Sequence, residues 1–265
     1  MVDTQTPIIS IRNLRKSYGA TTVLHGIDLD IYPGRVIGYI GPNGAGKSTT
    51  VRILAGLDGH FEGDIKVGEL DVRKDPIAVK KKVGYIPENA AMYDVLTPME
   101  FLQLIGKLHH LSTDIIAERA TGMLNFFGMG KHLNDRMNTF SKGMRQKVLL
   151  VSGLLHNPEI IFLDEPLSGL DANTVIMVKE IIARLAAQGK TIFYCSHMMD
   201  VVEKISDRII LISGGKIVAD DTFAALQGKA GTSLEQVFSQ LTGSTNHENL
   251  ADEFLQNLSE KTETE

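Results

Sequence analysis

The sequence lacks several features, and each absence excludes a class of protein. Cys195 is the single cysteine among 265 residues, so no disulfide can form within the chain. No apolar run approaches the ~18 residues of a membrane-spanning helix, and the formal net charge of −5 excludes a global basic field for nucleic acid. The first residues show neither a basic segment nor an apolar core of the signal-peptide type. We therefore expect a cytoplasmic protein that needs a partner to work at a membrane.

A glycine-rich stretch, Gly41–Ser48, has the spacing G-x-x-x-x-G-K-S. Its glycines permit a tight turn whose N–H groups point inward at phosphate oxygens. Lys47 can reach the β- and γ-phosphates of a nucleotide, and the Ser48 hydroxyl can bind Mg²⁺. The apolar run Val36–Ile40 predicts a buried strand before the turn, and Ser48–Leu57 predicts a helix whose positive dipole end lies under the phosphates. The motif predicts a nucleotide site made of Gly41, Pro42, Asn43, Gly44, Ala45, Gly46, Lys47, Ser48 and Thr49.

A second apolar run, Ile160–Leu163, ends in two carboxylates. Asp164 is placed to hold Mg²⁺ opposite Ser48, and Glu165 is placed to polarise the water that attacks the γ-phosphate. A strand that merely ends in two solvated acids is the alternative. The position, about 115 residues after the glycine-rich stretch and just before a proline, favours the catalytic interpretation.

An α/β fold is predicted from the alternation of strand and helix patterns along the chain. Helical spacing dominates about residues 91–150, between segments of strand character. The strands Ile160–Leu163 and Thr191–Tyr194 enclose a helical stretch, which indicates a parallel sheet. No internal repeat is present. We predict one domain over residues 4–243, with the helical part inserted into it, and a polar, flexible tail over 244–265.

A third motif, Phe140-Ser-Lys-Gly-Met144, opens a predicted helix. With it, the chain resembles the nucleotide-binding domains of ATP-binding cassette (ABC) transporters, whose signature reads Leu-Ser-Gly-Gly-Gln. Ser141 and Gly143 match this signature, whereas Phe140, Lys142 and Met144 depart from it. The resemblance implies that this motif contacts the nucleotide of a second protomer, although Met144 cannot supply the amide that the family's Gln would.

The resemblance assigns roles to further residues. Tyr18 matches the aromatic residue that stacks on adenine, and His197 matches the switch histidine that senses the γ-phosphate. Glu88 stands where the family usually has a Gln that contacts Mg²⁺ or the attacking water, and we interpret this as a trait of an exporter branch. The catalytic residues are then Glu165, His197 and Lys47, and the metal ligands are Ser48, Asp164 and Glu88. The loop between protomers is Ser168, Gly169, Leu170 and Asp171.

The resemblance spans about residues 8–222 and implies both fold and function. The implied fold is a P-loop NTPase (RecA-like) core with an N-terminal antiparallel β subdomain, an inserted helical subdomain and a helical C-terminal tail. The implied activity is ATP hydrolysis with Mg²⁺, and the implied partners are a second protomer, preferably identical, and a multi-span transmembrane permease, but no nucleic acid. Thr232–Phe238 resembles an ending common in type-2 exporters, which favours export from the cytoplasmic face of the cell membrane. The cargo does not follow from this chain.

Two other functions are weighed against this prediction. A non-transport ABC ATPase of the repair or chromosome type carries long coiled coils between the P-loop and the signature, but only about 90 residues separate Ser48 from Ser141. Ribosome-acting relatives usually carry two cassettes and a basic linker, whereas this chain is acidic. A regulatory cassette with little turnover stays open because of Glu88 and Met144. For a membrane partner, Met92 and Tyr93 are the candidate contacts.

Overall fold

The computed structural model describes residues 6–88, 92–230, 233–242 and 255. Two sheets and the helices around them form the fold. The strands in these ranges are β1 Ile9–Tyr18, β2 Thr21–Ile31, β3 Val36–Ile40, β4 Glu62–Val67, β5 Leu70–Asp71, β6 Val83–Ile86, β7 Ile160–Asp164, β8 Thr191–Cys195, β9 Arg208–Ser213 and β10 Lys216–Asp221. The α-helices are α1 Lys47–Leu54, α2 Pro76–Lys82, α3 Pro98–Leu108, α4 Thr113–Phe126, α5 Lys142–Leu154, α6 Ala172–Ala187, α7 Met199–Ile205, α8 Phe223–Ala230 and α9 Leu234–Thr242.

The smaller sheet is antiparallel, with the strand order β2-β1-β4-β5. The larger sheet has the order β10-β9-β3-β8-β7-β6. Its five strands from β9 to β6 are parallel, and β10 pairs antiparallel with β9 as a hairpin. Parallel strands joined by helices with both faces covered are the architecture of an α/β domain. The predicted fold class, including its antiparallel N-terminal part, is confirmed.

The parallel strands separate two hydrophobic cores because side chains alternate along a strand. On β3, Ile37 and Tyr39 point towards the antiparallel sheet and α1, whereas Val36 and Ile40 belong to the core under the helices. All five residues of β3 are buried, as in a strand covered on both faces. This burial fixes the position of the loop that follows β3, where the nucleotide motif begins.

The inserted helical part contains α3, α4 and α5, which pack on one another. A capping box starts α3, as predicted: the Glu100 N–H donates to Thr97 Oγ1 at 3.2 Å, and the Thr97 N–H donates to Glu100 Oε2 at 2.8 Å. Phe101 and Leu102 are buried, as their helical spacing suggested. The proposed limits of this part, 91–150, stay a prediction, since residue 91 is outside the described ranges and α5 continues to Leu154.

The last described helix, α9, packs against α8 and α7. Leu234 and Val237 are buried and Phe238 is partly buried, but Leu241 is 42% exposed, so the predicted apolar face is one turn shorter than its sequence pattern. Thr232, in the predicted capping box of this helix, lies outside the described residues. The same holds for the predicted tail 244–265 apart from residue 255. None of the helices in the described ranges is long and apolar enough to cross a membrane.

Candidate functional site

The glycine-rich loop connects β3 to α1, as its sequence predicted. Gly46 is the N-cap of α1 with φ 102°, in a region that favours glycine. A Cβ at Gly46 would collide with the side chain of Leu24 on the neighbouring sheet. The Thr50 N–H donates to Gly46 O at 2.9 Å and begins the helical ladder. The N–H groups that precede this ladder, at the start of α1, are the groups that bind phosphate oxygens at a helix N-terminus.

The Lys47 side chain curls back over this loop. Lys47 is buried, and its Nζ donates to Gly41 O at 2.7 Å and to Pro42 O at 3.1 Å. Both acceptors are neutral backbone carbonyls. A charged phosphate oxygen forms a stronger bond with the ammonium group and can therefore replace either carbonyl. The lysine is therefore held at the loop in position to meet a phosphate.

Asp164 ends β7 beside Cys195 of β8 and is almost fully buried. Within the described part of the chain, its Oδ1 has no hydrogen-bond partner. Burial raises the pKa of Asp164 above its ordinary value, and a hydrogen bond from Ser48 opposes that shift. The nearby charges of Glu165 and Glu88 raise the same pKa further. A buried carboxylate oxygen without a partner, next to a serine hydroxyl and other carboxylates, is the oxygen donor set that suits Mg²⁺.

Glu165 is held by the end of β8. Its φ of 50° is unusual for a residue other than glycine, and its N–H donates to Cys195 O at 2.9 Å. Ser196 Oγ donates to Glu165 Oε2 at 2.8 Å, while both the N–H and Nδ1 of His197 donate to Oε1 at 2.8 Å. Strained backbone of this kind collects at functional sites. The carboxylate is thus oriented by three donors from one short segment.

The side chain of His197 is 68% exposed although it is bonded to a nearly buried carboxylate. Because the carboxylate only accepts, the imidazole must carry its proton on Nδ1. The other ring nitrogen is then the one available to a ligand that enters from solvent. The neighbouring Cys195 is fully buried, and burial raises the pKa of its thiol well above the ordinary value. The thiol is therefore an inert part of the core.

Two adjoining cavities surround the loop. The first, here called the phosphate cavity, has a volume of about 340 Å³ and is lined by Val23, Asn43, Gly44, Gly46, Lys47, Ser48, Thr49, Glu88, Asp164 and Glu165. The second, here called the carboxylate cavity, has about 310 Å³ and is lined by Gly41, Pro42, Asn43, Glu88, Glu165, His197, Met199 and Phe238. The predicted metal ligands and catalytic residues thus meet at these two cavities, with Glu88 and Glu165 common to both.

A larger cavity of about 510 Å³ lies elsewhere, between α4, α5 and α6. Its lining is apolar apart from a few side chains such as Arg119 and Lys190, and no carboxylate of the described ranges borders it. Lys190 and Pro158 precede β8 and β7, so this cavity faces the amino ends of the parallel strands. Ligands of open α/β sheets bind at the opposite edge, beyond the carboxyl ends, where Asp164 and the glycine-rich loop lie.

Tyr18 ends β1 and lines neither cavity around the loop. Its ring is 48% exposed, and its OH donates to Asp58 Oδ2 at 3.2 Å. Lys16 Nζ lies 4.6 Å from the ring centroid and forms an ion pair of 2.7 Å with Asp58. Burial opposes ionisation of Asp58, but the Lys16 contact holds the pKa of this carboxyl below its ordinary value. Asp58 and Lys16 therefore hold the side chain of Tyr18 in place, and about half of it stays exposed, as stacking on a base requires.

The signature and the predicted dimer loop touch each other within the chain. Ser141 caps α5, since the Met144 N–H donates to Ser141 Oγ at 3.2 Å. Lys142 Nζ donates to Ser168 Oγ at 2.7 Å, and a Cβ at Gly143 would lie 2.6 Å from the carbonyl oxygen of the loop residue that follows Ser168. Among the described residues, no member of either motif lines the phosphate or the carboxylate cavity. The structure joins these two motifs to each other and not to the glycine-rich loop of the same chain.

The rest of the predicted dimer loop is anchored at its ends. Asp171 is the N-cap of α6: its Oδ1 accepts the Thr174 N–H at 2.9 Å and its Oδ2 accepts Thr174 Oγ1 at 2.6 Å. These two bonds lower the pKa of Asp171 to about 2. Leu170 packs on the core under the helices. The buried Gln146 of α5 donates to Pro166 O at 3.0 Å and ties the signature helix to the end of β7.

Several site residues had no signal in the sequence. Val23, Met199 and Phe238 line the cavities with side chains that resemble ordinary core residues. Ser196 could have been found, because a hydroxyl directly before a predicted catalytic histidine is a natural donor. Asp58 is distant from Tyr18 in sequence and follows no motif.

Comparisons with known proteins agree on what this chain is similar to. A family model described as ABC transporter matches residues 24–168. Linearmycin resistance ATP-binding protein LnrL of Bacillus subtilis (strain 168) is 35% identical over 224 residues, which cover 84% of this chain and 72% of that protein. Daunorubicin/doxorubicin resistance ATP-binding protein DrrA of Streptomyces peucetius is 33% identical over 229 residues, which cover 86% of this chain and 69% of that protein. A solved ATP-binding subunit of an ABC transporter matches with a TM-score of 0.82 at 29% identity, over 88% of this chain and 99% of the solved one.

Proposed function

We propose that this chain, which belongs to the ATP-binding proteins of the ABC transporter family and to their type-2 exporter branch, hydrolyses ATP in a Mg²⁺-dependent dimer and thereby powers export through a separate transmembrane partner. Family membership supports ATP binding. The geometry of the site supports the metal, the dimer, the partner and the individual residue roles.

The buried Oδ1 of Asp164 is the observation that carries this proposal. An unpaired carboxylate oxygen in the interior costs free energy unless a ligand forms a bond to it. Asp164 carries such an oxygen, and this residue lines the phosphate cavity. Ser48 and Asp164 would hold Mg²⁺, and Glu88, on the rim of both cavities, is the third candidate ligand. Bound there, Mg²⁺ neutralises charge on the phosphates. Lys47 binds the same phosphates by exchanging its two carbonyl partners for phosphate oxygens.

Glu165 is the proposed general base. Its Oε2 accepts from Ser196 and its Oε1 from His197, and Glu165 lines both cavities, so the carboxylate is held beside the space that they share. A water in that space is polarised by Glu165 and attacks the γ-phosphate, and its proton passes to the carboxylate. His197 keeps Nδ1 on Glu165 and offers its exposed edge to the γ-phosphate. The products are ADP and inorganic phosphate.

The proposed dimer accounts for the placement of the signature. Ser141–Met144 and Ser168–Asp171 form one surface that lies apart from the chain's own cavities. In the proposed arrangement, this surface of one protomer covers the nucleotide of the other, with the hydroxyl of Ser141 and the backbone at Gly143 approaching the γ-phosphate. One chain carries both halves of the site, so a homodimer is favoured.

The proposed contact with the membrane partner lies just after Glu88. Tyr93 is 63% exposed and Val95 is similarly open, whereas Met92 packs on the core, so the expected contact narrows to Tyr93 and Val95. Between these two, Asp94 accepts two hydrogen bonds of 2.9 Å from Arg145 Nη1, next to the signature. Through this ion pair, a movement of the proposed partner surface would act directly on the signature helix. The protein would then lie on the cytoplasmic face of the membrane.

Steady-state hydrolysis by the purified chain tests the ATPase part of the proposal. We expect Mg²⁺-dependent release of phosphate that Lys47→Ala abolishes, and a chain that binds ATP without turnover would instead be a regulatory cassette. Affinity purification from membranes tests the partner: a multi-span membrane protein should accompany the wild-type chain and be lost from Tyr93→Asp. Retention of the membrane protein by Tyr93→Asp would refute the proposed contact.

A further inference from the structure

The carboxylate cavity has an apolar side wall that the hydrolytic residues do not supply. Glu165, His197 and Glu88 contribute charged or polar groups to it, and the glycine-rich loop contributes backbone. The rest of the lining comes from Met199, at the start of α7, and from Phe238, on α9. A residue near the C-terminal end of the described chain therefore borders the same space as the proposed general base.

Phe238 is held in this wall by the way α9 docks. Leu234 and Val237 are fully buried in the core under the helices. The Leu234 N–H donates to Glu203 Oε2 at 3.5 Å, which joins α9 to α7. Helix α7 starts two residues after His197. The ring of Phe238 is thus fixed relative to His197 by one rigid pair of helices.

An apolar wall beside a general base has two physical consequences. It limits the number of waters that can approach the carboxylate, and it lowers the local polarisability, so the contacts between His197, Glu165 and a phosphate become stronger. Small displacements of catalytic groups reduce rates strongly. Lys47, Ser48 and Thr49, which are expected to hold the phosphates, line only the phosphate cavity, so we expect both effects to act on the rate of hydrolysis more than on nucleotide binding.

We propose that Phe238 is a positioning residue for ATP hydrolysis: its ring closes the carboxylate cavity and keeps Glu165 and His197 aligned with a single attacking water. This inference rests on the proposed function and adds α9 to the residues that set its rate. It predicts a specific kinetic pattern, in which loss of the ring lowers kcat and leaves the affinity for ATP unchanged.

The test compares four variants of the full chain by steady-state hydrolysis and by calorimetric titration with ATP. Phe238→Ala should lower kcat by about tenfold with an unchanged Kd for ATP, and Phe238→Leu, which restores apolar bulk, should recover most of the rate. Leu241→Ala, on the exposed side of the same helix, should match the wild type. Val237→Ala removes a core contact of α9 and should lower Tm, but Val237 lines neither cavity and the Phe238 ring is kept, so the rate of this variant measured well below Tm should exceed that of Phe238→Ala.

Three results would overturn the inference. The first is a kcat of Phe238→Ala equal to that of the wild type. The second is a loss of ATP affinity in Phe238→Ala in proportion to its loss of rate. The third is a Phe238→Leu variant as slow as Phe238→Ala. Each of these would leave the proposed function standing, because the wild type would still hydrolyse ATP. A wild-type chain that binds ATP without hydrolysing it would overturn the proposed function and this inference together.

Discussion

His197 Nδ1 lies 2.8 Å from Glu165 Oε1, and the His197 backbone N–H donates to the same oxygen at the same distance. One residue thus orients the carboxylate with both its main chain and its ring. The main-chain bond does not depend on the side chain in any variant other than proline, so the ring's contribution can be isolated by mutation.

Replacement of His197 by Ala should lower kcat by about a hundredfold, because the ring no longer orients Glu165 and small displacements of a catalytic group cost that much in rate. ATP affinity should stay within about twofold, because the phosphate cavity does not include His197. Hydrolysis and calorimetric titration check the two quantities separately. Equal losses in affinity and in rate would contradict the assignment of His197 to the hydrolytic step.

Replacement of Tyr18 by Ala should weaken ATP binding by about tenfold, since stacking of one base on an aromatic ring contributes ~1–3 kcal/mol. Tyr18→Phe is the matched control: it keeps the ring and loses only the hydrogen bond to Asp58, so its affinity should be close to wild type. Calorimetric titration measures both variants. Equal affinities for Tyr18→Ala and the wild type would remove the adenine contact from this residue.

Gly143→Ala should abolish most of the hydrolysis while ATP still binds. The added Cβ would lie 2.6 Å from a backbone oxygen of the loop at Gly169, so the signature and the dimer loop must separate. Gly122→Ala is the control, because its Cβ meets nothing within 4 Å in the middle of α4, and it should stabilise the protein by ~0.5–1 kcal/mol. Full activity of Gly143→Ala would show that the packing of these two motifs is unimportant.

The acid stability of the protein should depend on His156. Burial, followed by the charge of His109 stacked 3.7 Å away, lowers the pKa of His156 to about 4. Its Nε2 donates to Val83 O and its buried Nδ1 has no partner within the described residues. Between pH 4 and the ordinary value of about 6.5, the unfolded chain binds more protons at this site, so the free energy of unfolding falls as pH falls through this window.

NMR titration of His156 and unfolding by denaturant between pH 4 and 7 check this dependence. His156→Gln keeps a donor for Val83 and should flatten the pH slope below 6.5, with no change in slope above it. A pKa of His156 near 6.5 in the folded protein, or an unchanged slope in the variant, would contradict this reading of the buried ring.

The sequence alone allowed the family and the fold class to be predicted, and both are confirmed. The reason is that the phosphate loop and the two carboxylates at the end of β7 are each contiguous in sequence, so their residue spacing already indicates their backbone geometry. The roles given to individual site residues stay predictions.

The residues whose place in the site could not be predicted from the sequence are positioned by tertiary contacts. Val23 reaches the phosphate cavity because β2 passes under the loop, and nothing local distinguishes it from a core valine. Phe238 was expected on an apolar helical face, but its place beside Glu165 is set by the docking of α9 on α7. Leu241 shares the helical spacing of that face and is nonetheless exposed, because the core ends before it.

If two chains share each ATP, Glu165→Gln should trap them together. Gln keeps the shape of the side chain but cannot take the proton from water, so the ATP-bound dimer should accumulate. Light scattering of this variant with saturating Mg²⁺ and ATP should give twice the 29.0 kDa of the chain, and adding Ser141→Arg should return it to the single-chain mass. A single-chain mass for Glu165→Gln with ATP bound would show that one chain binds ATP without its partner, and hydrolysis at the wild-type rate would show that Glu165 is not the general base.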